Sequence, residues 1–200
     1  MISYLIIAVN VLISFSCFSN RNMFMKLAFI PYRVVRFNEW HRILTHGFVH
    51  ADTVHLLVNM FTFWSFGTYM EELFGAIGFS KFSYVGLYFG GMIVATIHDL
   101  VKQRNNPAYI SVGASGAVSA ILFASIVFNP WGKILLFAII PIPGILFGVL
   151  YLIYCQYMAR KGEDNINHNA HFYGAVYGFL YPILLKPDLL QVFISHLLGR

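Results

Sequence analysis

The sequence predicts an all-α fold: a polytopic membrane protein built as a six-transmembrane-helix bundle, in a single domain over residues 1–200. Three observations predict it. Charged residues make up 10 % of the chain and the strongly apolar types 58 %, where soluble domains carry roughly 25 % charge. The apolar residues gather into six runs of roughly 17–25 residues, the length that crosses a hydrocarbon core. The carboxylates Glu39, Asp52, Glu71, Glu72, Asp99, Glu163, Asp164 and Asp188 fall between those runs or at their ends.

The first run, roughly 2–19, has no basic leading region and no small-residue cleavage site after it, so it reads as a retained span rather than a removed signal. Residues 20–52 interleave Arg21, Lys26, Arg33, Arg36 and Arg42 with Tyr32, Phe37 and Trp40. That mixture suits an interfacial segment with its rings at headgroup level. The second and third runs cover roughly 53–70 and 82–100. The fourth, roughly 113–129, is rich in Gly and Ala and stops at Asn129-Pro130-Trp131-Gly132. Residues 133–140 read as an apolar connector buried against the bundle or the interface. Pro141 and Pro143 then mark the start of the fifth run, roughly 143–159, as proline tolerates a first helical turn. The sixth, roughly 168–185, carries Ala170, Gly174 and Gly178 at spacing four, which lets helix backbones approach closely. Cys17 and Cys155 lie inside apolar runs and read as buried thiols. A net charge of +5 spread over loops suits anionic lipid headgroups, not nucleic acid.

Polar groups at membrane depth are costly and so tend to mark function. Ser115, in Gly113-Ala114-Ser115-Gly116, stands at the start of the fourth run, where free N–H groups and the positive dipole end of a helix favour an oxyanion. The competing reading is an N-cap serine. His171, about a turn into the sixth run, has an imidazole that can take a hydroxyl proton. Its competing reading is a histidine satisfied by a neighbouring helix. His55 and Asn59 share one face of the second run and can both donate, as an oxyanion hole or as interhelical glue. Alternate runs start on the same side of a membrane, so His55, Ser115 and His171 fall at similar depth. No carboxylate is placed to orient His171, so the residues predict a Ser–His dyad rather than a triad. His41, His46, His50 and His55 form a second cluster. Lacking an HExxH pattern or a cysteine, it reads as hydrogen bonding within the interfacial segment rather than a metal site.

Together these residues resemble the rhomboid family of intramembrane serine proteases. The resemblance runs from Glu39-Trp40-His41-Arg42 through Thr45 to His50 and the His55 to Met60 segment. It continues with Gly67, Glu71 to Gly75 and Gly113 to Ala117, and ends at Ala170 to Gly174 and Gly178. Each motif is short and weak, but their order along the chain is specific. The resemblance implies a bundle with a water-filled active site that cleaves transmembrane segments of other proteins. By it, Ser115 is the nucleophile, His171 the general base, and His55 and Asn59 line the oxyanion hole with the Ser115 N–H. No metal or organic cofactor is implied. Residues 20–52 become a first loop partly embedded in one leaflet. The fifth span and residues 160–167 become mobile elements that admit substrate.

Two features depart from that pattern. The position four after the nucleophile, aromatic in many members and packed on the base, is Ser119 here, and Tyr173 points about 200° around the helix from His171. The first, third and fifth loops also hold nine of the thirteen Lys and Arg residues. The positive-inside rule then opposes the cytoplasmic N-terminus that the resemblance implies; the family topology is the expectation adopted here. Two rival readings are an inactive relative that binds membrane clients and a small transporter or channel subunit. Retention of both Ser115 and His171 counts against the first. The lack of mid-span carboxylates and of internal repeats counts against the second. The absence of a seventh span or soluble appendage suits a minimal member of the bacterial inner membrane.

Overall fold

In α1 (Ile2–Ser19) the usual logic of an amphipathic helix is inverted. Its buried stripe is Ser3, Ile6, Asn10, Ser14 and Cys17, while Leu5, Leu12 and Phe15 face outward. Spacing of three and four keeps that stripe on one face. Its serines are satisfied inside: Ser3 bonds Glu71 and Tyr84, and Ser14 bonds Phe48 and His50, while Asn10 donates to the Ile6 carbonyl and leaves its Oδ1 without a partner among the described residues. A helix that hides serines and displays leucines is built for an apolar solvent.

This computed structural model describes residues 1–136, 139–162 and 164–200; Glu163 and the middle of the 133–140 connector lie outside them. After α1 come three short helices, α2 (Arg21–Leu27), α3 (Pro31–Phe37) and α4 (Arg42–Thr45), then a 3-10 turn at His46–Phe48. Arg42 is buried and gathers this segment by donating to the Met25 and Ala28 carbonyls and to Glu39. The segment is thus a folded unit of short helices. The long helices follow: α5 (Thr53–Ala76), α6 (Lys81–Lys102), α7 (Ser115–Phe128), α8 (Gly144–Lys161) and α9 (His168–Leu185). With α1 they occupy the six apolar runs. By length and composition alone, Ile2–Ser19 and Lys81–Lys102 suffice to cross a membrane, and Ser115–Phe128 is shorter.

Helix α7 is the centre of the bundle. Every residue from Gly116 to Val127 is buried, with α5, α6 and α9 packed around it. The small residues explain how. A Cβ on Gly174 would strike the Gly116 carbonyl, and one on Gly178 would strike that of Ala120. The α7 and α9 backbones therefore touch, as the spacing predicts. On the outer side α5 presents Leu57, Val58, Phe61 and Trp64, and α8 presents Leu146, Val149, Leu150 and Ile153.

Two segments differ from the sequence expectation. The 133–140 connector is not simply buried. It forms one arm of an antiparallel hairpin, β1 (Lys133–Leu136) with β2 (Ile140–Pro143), in which Leu135, Ile139 and Ile140 face outward and Ile134 alone of the described connector residues is in the core. Pro141 and Pro143 sit in a two-stranded edge, where a missing N–H costs no ladder bond. After α9 a further helix, α10 (Asp188–Leu197), returns along the bundle, burying Leu189 and Phe193 with Phe193 edge-on to Phe179. At ten residues it is too short to span a bilayer.

Candidate active site

The site is assembled from loop residues that clamp the start of α7. Residues 103–114 descend from α6 along the folded first loop and are pinned at three successive points. Ser111 exchanges two backbone hydrogen bonds with Phe29, each 3.0 Å. The Gly113 N–H donates to the His46 carbonyl at 3.0 Å. The Ala114 N–H points at His50 Nε2 at 3.5 Å. His50 is fully buried, and its Nδ1 pairs with the Ser14 hydroxyl at 2.9 Å, which in turn donates to the Phe48 carbonyl at 3.0 Å. These bonds share one consistent tautomer: Nε2 accepts and Nδ1–H donates. His50 thus ties α1 to the turn before Ser115, reaching beyond the interfacial segment to which the sequence confined it. His46 stays within that segment, its Nδ1 on the Arg42 carbonyl at 3.0 Å.

Ser115 is the first residue of α7. The N-cap position belongs to Ala114, which offers no capping side chain, so the reading of Ser115 as an N-cap does not hold. As a first-turn residue its N–H has no carbonyl partner within the helix. Gly113 makes this turn possible. Its φ of +116° is a conformation L side chains rarely adopt, and a Cβ there would stand 2.6 Å from His55 Cε1 and 2.8 Å from Nε2. The glycine therefore seats the His55 imidazole directly against the turn that delivers Ser115.

His55 lies in the first turn of α5, capped by the Asp52 carboxylate, which accepts its backbone N–H at 2.8 Å. The ring stands edge-on to His50 with centroids 5.0 Å apart. The Ala51 N–H approaches Nδ1 at 3.5 Å, which favours the tautomer with the proton on Nε2, the nitrogen beside Gly113. Asn59, one turn on, is buried and spends one amide N–H on the His55 carbonyl at 2.9 Å, leaving the other.

His171 is carried by the first turn of α9, its ring edge-on to that of His168 with centroids 6.0 Å apart. The preceding residue, Ala170, joins Ser115, Ser111, His46 and Asn167 in lining a small cavity at the head of α7. Among the described residues no hydrogen bond joins the Ser115 hydroxyl to His171. Such bonds commonly tighten only with substrate in place. Among the described residues no carboxylate is hydrogen-bonded to the His171 ring. What holds the ring is Tyr151 of α8, parallel to it within 12° at 6.3 Å, with its hydroxyl 2.9 Å from Ser119 Oγ. Tyr173 stacks on His98 instead, as its position on the helix predicts.

Two carboxylates that looked peripheral in the sequence hold the head of α9. Asp99 is buried and accepts from the Tyr109 hydroxyl at 2.7 Å and from Asn167 Nδ2 at 2.6 Å. Asn167 caps α9 through the Ala170 N–H at 3.0 Å. Asp164 bonds His168 Nε2 with both oxygens, at 3.0 and 3.1 Å, and the hydrogen bond from His168 lowers its pKa. Neither link was legible, because each pairs residues from different loops or spans a helix start that the composition does not mark.

Comparison with known proteins agrees with this architecture. A family model described as the Rhomboid domain matches residues 37–188. The chain is 30 % identical over 146 residues to "RHOMBOID-like protein 12, mitochondrial" of Arabidopsis thaliana, covering 68 % of this chain and 43 % of that one. It is 33 % identical over 145 residues to "Rhomboid protein 1, mitochondrial" of Saccharomyces cerevisiae, covering 70 % and 40 %. It is 28 % identical over 152 residues to "Putative rhomboid protease YdcA" of Bacillus subtilis, covering 73 % and 67 %. The chain thus spans about two-fifths of the length of the first two relatives. These relatives include mitochondrial proteins, and another is chloroplastic, so the expected bacterial inner membrane gains no support from them. A domain match over three-quarters of the chain, with the Gly113–Ser115 turn and the α7–α9 contact inside it, places this protein in the membrane-integral rhomboid family.

Proposed function

We propose that this protein is an intramembrane serine endopeptidase that cleaves transmembrane segments of other membrane proteins with a Ser115–His171 dyad. One observation carries the reading: Gly113, lacking a Cβ, seats the His55 ring against the turn that presents Ser115, where α9 packs backbone to backbone on α7.

In this reading the six long helices cross the bilayer. Helix α7, with 14 residues, is about 21 Å long at 1.5 Å per residue. That is well short of a hydrocarbon core of roughly 30 Å. Ser115 accordingly lies below the membrane surface at the floor of a recess, and water reaches it from the loop side. His171 accepts the Ser115 proton as Oγ attacks the scissile carbonyl carbon. The resulting oxyanion is held by the Ser115 N–H, the His55 Nε2–H and the remaining Asn59 amide N–H. The C–N bond breaks as His171 returns the proton to the leaving amine, and water then hydrolyses the acyl-enzyme.

The test uses purified wild type, Ser115→Ala and His171→Ala in liposomes with a fluorescent transmembrane substrate. Each substitution is expected to lower cleavage by roughly 10³-fold or more, with the helical circular-dichroism spectrum unchanged. A fluorophosphonate probe is expected to label wild type and not Ser115→Ala. Cleavage by Ser115→Ala would remove it as nucleophile. A wild type that neither cleaves nor labels would favour the client-binding reading.

A further inference from the structure

We propose that Cys155, His168 and His171 form a binding site for a thiophilic divalent cation of the zinc type, and that its occupation switches the protease off. The inhibitory consequence rests on His171 being the base; the binding itself does not.

Cys155 projects from α8, and His168 and His171 are three apart on α9, so they share a face of that helix. One ligand atom from each lies within 4.8 Å of the others. Tetrahedral zinc with one sulfur and two nitrogens holds its ligand atoms about 3.5 Å apart. Closure by about an ångström between two helices already in contact therefore completes the geometry. Cys155 and His168 are both buried.

An independent observation points to a ligand. His168 is 4 % exposed and its Nδ1 is buried without any hydrogen-bond partner. Its Nε2 is occupied by both oxygens of Asp164, at 3.0 and 3.1 Å. The proton therefore sits on Nε2 and a bare lone pair is left on Nδ1, inside the protein. A buried acceptor left without a partner is costly, and a bound cation would relieve that cost. Carboxylate to histidine to vacant nitrogen is also the arrangement by which proteins orient and strengthen a histidine metal ligand. Asp164 is partly exposed, so the site has an approach from the loop before α9.

The donor set selects the cation. A cysteine with two imidazoles suits zinc and related thiophilic ions, and disfavours magnesium and calcium. On binding, the Cys155 S–H gives its proton to water and the sulfur–metal bond forms. The His171 nitrogen that coordinates can no longer accept the Ser115 proton. Its other nitrogen then carries the imidazole N–H and has no lone pair with which to take that proton. Three protein ligands leave a fourth position open to water.

The probes are Co²⁺, read by its thiolate charge-transfer absorption, and Zn²⁺, read by substrate cleavage. The proteins are wild type, Ser115→Ala, Cys155→Ser, His168→Gln and Asp164→Asn in liposomes, each compared with its own metal-free state. Wild type and Ser115→Ala are expected to show the Co²⁺–thiolate band at one ion per chain. Zn²⁺ should inhibit wild type reversibly, with activity restored by a chelator. Cys155→Ser should lose the band although Cys17 remains, and should need at least tenfold more Zn²⁺ for half inhibition. His168→Gln and Asp164→Asn should weaken binding ten- to hundredfold. No band in wild type, a band that survives in Cys155→Ser, or equal Zn²⁺ sensitivity of Cys155→Ser and wild type would each overturn the proposal. The band in Ser115→Ala does not depend on proteolysis, so failure of the metal site and failure of the protease reading are separable.

Discussion

The phenol ring of Tyr151 lies over the imidazole of His171, 6.3 Å between centroids and 12° between planes, while its hydroxyl is 2.9 Å from Ser119 Oγ. The separation is within the range of an offset aromatic stack. Ser119 thus occupies the position where many rhomboid proteins carry the ring themselves, and here it anchors a ring lent by α8. In the proposed dyad, the His171 ring is oriented from α8 and Ser115 is presented by α7, with Ser119 of α7 bonded to the Tyr151 hydroxyl.

Tyr151→Ala is therefore expected to lower kcat by roughly ten- to hundredfold, the cost of misplacing a reacting group by about an ångström, with a smaller change in KM. Tyr151→Phe keeps the stack and loses one hydrogen bond, a stability cost of about 1 kcal/mol. Steady-state kinetics beside thermal unfolding separates the two effects. A wild-type kcat in Tyr151→Ala would remove the positioning role.

Gly113→Ala is expected to abolish labelling of Ser115 by a fluorophosphonate and to destabilise the fold by about 1–3 kcal/mol through backbone strain alone. The added methyl also collides with His55. Adding His55→Ala to Gly113→Ala removes the collision but not the strain, so the melting temperature should recover only in part. Full recovery would show that strain at φ +116° is not a cost here.

His50→Ala is expected to leave the Ala114 N–H and the Ser14 hydroxyl without their shared partner. The Ala114 N–H is then orphaned at about 1–3 kcal/mol, while the Ser14 hydroxyl keeps its bond to the Phe48 carbonyl. The loss should concentrate at the head of α7, so hydrogen exchange at residues 111–118 is the measurement. Uniform loosening of the whole bundle would contradict a local clamp.

Glu39 supplies a pH-dependent contribution. The hydrogen bond from Arg33 and the neighbouring Arg42 hold its carboxyl down at about 2. A lowered folded pKa stabilises above the unfolded value of 4.5 and is lost as pH falls through the folded value. The melting-temperature gap between wild type and Glu39→Gln should thus be constant above about pH 5 and close steadily towards pH 2. A gap that persists at pH 2 would show that the carboxylate charge is not what stabilises the first loop.

The helices were legible because lipid demands continuous apolar runs whatever their partners. Both ends of α1 and α9 coincide with the runs read from composition. Helix α5 runs six residues beyond its run, which was cut at the first carboxylate. Glu71 is tolerated there because it accepts the Ile2 and Ser3 N–H groups and the Ser3 hydroxyl. The hairpin was illegible, since two prolines in an apolar stretch announce a break and not a pairing. Helix α10 leaves no such signal, because ten residues cannot span a bilayer, although they suffice to cover Phe179.

The sequence by itself determined the apolar solvent, the helical runs, the small-residue seam of α7 and α9, and the candidate pair Ser115 and His171. These are local properties: periodicity, side-chain size, and a polar atom too costly to bury idly. Tertiary structure alone decided what surrounds that pair. Tyr151 lies 20 residues before His171 and on a different helix, His50 works between α1 and α7, and Asp99 reaches the cap of α9 through Asn167. Each joins residues that only packing brings together, because a hydrogen bond or a ring stack depends on where backbones meet and leaves no period along the chain.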